Sequence, residues 1–125
     1  MAADFADIFS ALKPILAEYE TRLAVKTDTS REYSLVTKSA SPFPQHKGHP
    51  MDFGSVRVGK AYVSFHLMPI YMCPALEKSV TAALKARMQG KSCFNFKVEP
   101  DEEMIGDLRR LTEASFREWR AKKWV

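Results

Sequence analysis

The stretch Phe53-Gly54-Ser55-Val56-Arg57-Val58-Gly59-Lys60-Ala61-Tyr62-Val63-Ser64-Phe65-His66-Leu67-Met68-Pro69 decides the fold. Two runs of β-forming residues flank Gly59-Lys60, and a two-residue loop that starts with glycine suits a type II′ hairpin turn. That turn pairs Val58 with Ala61, Val56 with Val63 and Gly54 with Phe65 on one face. It pairs Arg57 with Tyr62, Ser55 with Ser64 and Phe53 with His66 on the other. The first face is apolar and the second mostly polar. A slip of one residue would mix the two, so pattern and turn support one register.

Outward from the hairpin, the pattern changes period. On the N-terminal side, Phe5, Ile8, Phe9, Leu12, Ile15, Leu16, Tyr19 and Leu23 recur every three or four residues, which predicts a helix over Asp4 to Leu23. Pro14 removes one of its hydrogen bonds, so a kink or break is expected there, with the helix ending near Arg22. Leu23 to Thr27 and Tyr33 to Ser39 read as strands joined by the turn-forming Asp28, Thr29 and Ser30. Ser41 to Pro50 holds Pro42, Pro44, Pro50 and Gly48 and reads as a loop. On the C-terminal side, Pro69 ends the second hairpin strand. Pro74 opens a helix with Leu76, Val80, Ala83, Leu84 and Met88 on its stripe, and Gly90 caps it. Ser92 to Lys97 is the fifth strand. After Pro100, the acids Asp101, Glu102 and Glu103 and the later bases Arg120, Lys122 and Lys123 suit the dipole of a last helix. Its buried stripe is Met104, Ile105, Leu108, Leu111, Phe116 and Trp119. The whole chain, residues 1–125, thus reads as a single α+β domain. About five strands form a mainly antiparallel sheet, with the N- and C-terminal helices packed on one face.

Composition sets the outer limits. A chain of 125 residues with 46% hydrophobic and 27% charged residues builds one core, not several domains. No apolar run approaches the ~20 residues of a membrane-spanning helix, so no membrane partner is expected. Asp4 and Asp7 stand where a signal peptide would carry basic residues, so a cytoplasmic location is expected, with Cys73 and Cys93 as thiols. The formal net charge is only +4, and no nucleic-acid-binding motif accompanies it. Nucleic acid is therefore not an expected partner.

Four groups of residues could carry chemistry. His46 and His49 are three apart in the proline-rich loop and could act as metal ligands with Asp52. Cys93 and His66 share a face by parity and could form a thiol–imidazole pair. Gly59-Lys60 and Gly90-Lys91-Ser92 lack the spacing of a phosphate-binding loop and read as turns. The widest candidate is the polar sheet face, where Ser55, Arg57, Tyr62, Ser64, His66, Asn95 and Lys97 point the same way. Helices cover the other face, which leaves this one to receive an unknown small ligand, an anion above all, or a protein partner. A second copy of the chain, in a homodimer, is a further way to cover it.

The hairpin run resembles the central hairpin of the YdhG-like domains, small bacterial proteins of unknown function. Gln89-Gly90-Lys91-Ser92-Cys93-Phe94-Asn95-Phe96 is similar to that family's last strand, and the helix after Pro100 is similar to its closing helix. The likeness covers roughly residues 10–120. It implies a frataxin-like architecture, with helices on one face of an antiparallel sheet, and it brings in an iron- or metal-chaperone role. An iron role of that kind leans on an acidic helix or edge, whereas the first helix mixes Asp4, Asp7, Glu18 and Glu20 with Lys13 and Arg22. The leading expectation is a non-enzymatic binding domain without a cofactor. The metal chaperone and the thiol/His enzyme are the alternatives.

Overall fold

The computed structural model describes residues 4–90 and 92–125, so Lys91 of the Gly90-Lys91-Ser92 turn lies outside the described residues. The architecture is α+β. Its elements run α1 (Phe5–Ala17), β1 (Ala24–Asp28), β2 (Glu32–Ala40), β3 (Pro50–Val58), β4 (Val63–Leu67), α2 (Met68–Met72), α3 (Ala82–Lys85), β5 (Met88–Gln89), β6 (Cys93–Phe96) and α4 (Glu102–Ala121). The six strands are ordered β1-β2-β3-β4-β6-β5, and every neighbouring pair is antiparallel. Helix α1 lies on β3 and its neighbours β2 and β4, and packs beside α4. Both helices therefore cover the same face.

The core follows from the stripes. Ile8, Phe9, Leu12, Ile15 and Leu16 of α1 meet Tyr33, Leu35, Val56, Val63, Phe65, Leu67, Phe94 and Phe96 of the sheet and Leu108, Leu111, Phe116 and Trp119 of α4. Asp101 caps α4 by accepting from the Met104 N–H at 2.8 Å. Pro14 sits inside α1, which runs through it and stops at Ala17, short of the expected Arg22. The Leu16 carbonyl accepts from the Tyr19 N–H, and that tighter turn closes the helix five residues early.

The hairpin keeps its faces but not its register. Val58 pairs with Val63, Arg57 with Ser64, Val56 with Phe65, Ser55 with His66 and Gly54 with Leu67. The loop is thus four residues, Gly59 to Tyr62, closed by the Gly59 N–H donating to the Tyr62 carbonyl at 2.9 Å. A type II′ turn needs a left-handed first residue, and Gly59 does not adopt that conformation. The shift is two residues, so every side chain stays on its expected face.

Phe53 is the exception. It was expected on the polar face and is fully buried in the core. Leu35 opposes Gly54 and Val36 opposes Asp52, so Phe53 is an extra residue in β3, a bulge that reverses the alternation. Its ring joins Trp119 at 5.6 Å and Phe116 at 6.1 Å. Gly54 beside it allows the sheet to approach α1. A Cβ there would stand 2.9 Å from Leu16 Cδ2 and 3.0 Å from the His66 carbonyl oxygen.

The helix expected from Pro74 to Gly90 is replaced by short pieces. A 3-10 segment (Pro74–Ser79) ends at extended Val80, and Thr81 then caps α3 by accepting from the Leu84 N–H at 3.3 Å. β-Branched Val80 and Thr81 at the break favour extended backbone over a continued helix. Met88 and Gln89 then pair with Phe94 and Cys93, adding a sixth strand to the expected five. Gly90 has φ of +76° and serves this hairpin instead of capping a helix. Among the described residues, no helix is long and apolar enough to cross a membrane.

Candidate functional site

The face of the sheet opposite the helices is built by parity. Across the strands, one row runs Glu32, Arg57, Ser64, Asn95. The next runs Thr27, Ser34, Ser55, His66, Cys93, Gln89. Ser55, Arg57, Ser64, His66 and Asn95 are therefore brought together as expected. Tyr62 precedes β4 but stays on the same side. Lys97 lies one residue beyond β6, so strand pairing no longer places it, and it is exposed.

Half of this face satisfies itself. Ser64 Oγ donates to Asn95 Oδ1 at 3.0 Å, and Asn95 Nδ2 donates to Gln89 Oε1 at 2.5 Å. Tyr62 OH donates to the same Gln89 oxygen at 3.3 Å. These groups form a ladder across β4, β6 and β5.

The other half does not. The β1–β2 turn and the β3–β4 loop lie side by side, joined by the Val58 N–H donating to the Arg31 carbonyl at 2.8 Å. Thr29 holds the first turn by accepting from the N–H groups of Arg31 and Glu32 at 3.2 and 3.0 Å. Between them opens a cleft of about 730 Å³ whose lining includes Arg31, Arg57, Lys60, Glu32, Tyr62 and Thr27. Three cationic side chains thus face one carboxylate. Arg57 Nε stands 3.9 Å from Glu32 Oε1, a loose and exposed pair. Among the described residues, Arg31 and Lys60 have no carboxylate within 4.0 Å.

Next to this cleft, and sharing Glu32 with it, lies a hollow of about 120 Å³ lined by Lys26, Glu32, Ser34, Asp52, Gly54, Ser55 and His66. Burial pushes the His66 imidazole below its ordinary pKa, and the Asp52 carboxylate partly opposes that. Ser34 is only 7% exposed, and its Oγ is buried without a hydrogen-bond partner.

His66 and Cys93 are direct cross-strand neighbours, so the expected proximity is present. Burial raises the Cys93 thiol, which disfavours the nucleophilic thiolate. The two loop histidines share one turn, in which the His49 N–H donates to the His46 carbonyl at 3.0 Å. His46 Nδ1 is 2.6 Å from Ser41 Oγ, and its ring lines a second hollow of about 370 Å³ with Phe43, Met51, Met68 and Met72. His49 is exposed. Among the described residues, no three His, Cys, Asp or Glu side chains are grouped to hold a metal.

Reading the hairpin alone misses Arg31, Glu32 and Ser34. The signal was present in β2, where Glu32, Ser34 and Val36 alternate with Tyr33, Leu35 and Thr37. Three aliphatic and aromatic residues among polar ones blur that alternation until the partner strands fix it. No protein-family model, curated protein or solved structure matches the chain.

Proposed function

We propose that this chain is a binding domain that captures a small anionic ligand on the open face of its sheet without transforming it. The observation that carries the reading is the cleft where Arg31, Arg57 and Lys60 meet a single carboxylate, Glu32. Arginine offers a planar fork of donors that suits carboxylate and phosphate oxygens, and lysine adds a point charge. The turn that carries Arg31 is tied to the end of β3, beside Arg57, by a backbone hydrogen bond, so the backbone brings the cations to one place before a ligand arrives. A cytoplasmic setting and a kinship with the YdhG-like domains belong to the same proposal. The hairpin and the two helices on one face support the kinship, and the free thiols of Cys73 and Cys93 support the setting.

Titration with inorganic phosphate, followed by amide chemical shifts, tests the reading. Saturable shifts are expected at residues 27–32 and 57–62. Arg57→Ala combined with Lys60→Ala removes two exposed charges, so it leaves stability within about 0.5 kcal/mol. The same double variant weakens binding by about tenfold or more, since each charge-assisted bond contributes roughly 1.5–3 kcal/mol. Shifts that never saturate, or that persist in the double variant, overturn the proposal.

A further inference from the structure

The small hollow beside the cleft contains the least explained polar group of the open face. The Ser34 hydroxyl is buried and unpartnered on β2, between the edge strand β1 and β3. Buried polar atoms nearly always find partners, and this unpartnered one belongs to a residue that lines a hollow, a place for a ligand atom. The other walls belong to Ser55, His66, Asp52, Glu32 and Lys26. Two hydroxyls and an imidazole held toward its neutral form both donate and accept, and carboxylates only accept. Lys26 Nζ is drawn to within 3.9 Å of Asp52 Oδ1, so its charge is answered there. A second anionic group would meet Asp52 and Glu32. A ligand hydroxyl would find both donors and acceptors.

The cleft and the hollow are one ligand length apart. Ser55 and Arg57 are two residues apart on β3, which places the hollow about 7 Å from the cationic end. That span matches the distance from a phosphate to the far hydroxyls of a five- or six-carbon sugar. Resting on the anion reading above, we infer that the ligand is a phosphorylated sugar or polyol. Its phosphate lies among Arg31, Arg57 and Lys60, and a hydroxyl at its other end pairs with Ser34 Oγ beside His66 and Asp52.

Calorimetric titrations with ribose 5-phosphate, glucose 6-phosphate, inorganic phosphate and free ribose test this. At least one of the two sugar phosphates is expected to bind tenfold or more tightly than inorganic phosphate, and free ribose far more weakly than either. Ser34→Ala is expected to bring that sugar phosphate down to the level of inorganic phosphate while inorganic phosphate itself is unchanged. Ser34→Ala removes an unpartnered hydroxyl, so its fold is expected to survive. Ser55→Val fills the hollow from the neighbouring strand and is expected to give the same loss. If inorganic phosphate binds in an Arg57-dependent way but neither sugar phosphate is favoured, or the Ser34→Ala protein keeps the preference, the sugar inference fails and the anion site stands. If none of the phosphates binds, both fail.

Discussion

Val56 and Arg57 are neighbours in the chain and opposites in surroundings. Val56 is sealed beneath the helices, while Arg57 stands in the open cleft directly opposite Ser64, the start of the Ser64–Asn95 ladder. The same strand thus carries a face whose job is cohesion and a face open to solvent. The difference teaches where substitutions register. On the helix side a lost methyl leaves a void among packed neighbours. On the open side a lost charge is replaced by water.

The strongest way to break the contrast is Phe65→Ala. Phe65 is fully buried opposite Val56 and Phe94, and its truncation is expected to cost about 3–5 kcal/mol in chemical denaturation. A loss below 1 kcal/mol would mean that the helix-covered face is not the core. Gly54→Ala tests the contact between the two layers. The added Cβ presses on Leu16 and the His66 carbonyl, and a cost of about 1–3 kcal/mol is expected. No cost would show that α1 sits further from β3 than the structure has it. The smallest effect sharpens the open face. His66 has a folded pKa below its ordinary 6.5, so the unfolded chain binds the proton first. Stability is therefore unaffected by this group above the ordinary value and falls as pH drops through it toward the folded value. His66→Gln should flatten that acid limb in melting curves taken between neutral and mildly acidic pH. An unchanged limb would mean that His66 is as free as a solvated side chain.

The two faces of the hairpin were legible in the sequence because a shift of two residues preserves parity. Ser55, Arg57, Ser64 and His66 stay together whether the loop holds two residues or four. Phe53 was not legible, since a bulge depends on what the neighbouring strand β2 offers and leaves no mark on β3 itself. The 74–88 segment misled for a different reason. Its apolar spacing fits a helix, but Met88 and Gln89 gain strand partners in Phe94 and Cys93 that no local pattern reveals. Ser34 was the hardest to see. A lone serine in a mixed run becomes notable only when side chains from β1 and β3 close over it.

The aromatic cluster behind the sheet has a practical consequence. Both tryptophans of the chain belong to it, Trp119 packed on Phe53 and Trp124 bridging from Trp119 to Phe43 of the proline-rich loop, at ring separations of 5.7 and 5.4 Å. Their emission therefore follows the docking of the C-terminus and the seating of that loop. The whole sheet stands between these fluorophores and the cationic cleft. Intrinsic fluorescence is a faithful melting signal for this protein and a blind one for events in the cleft.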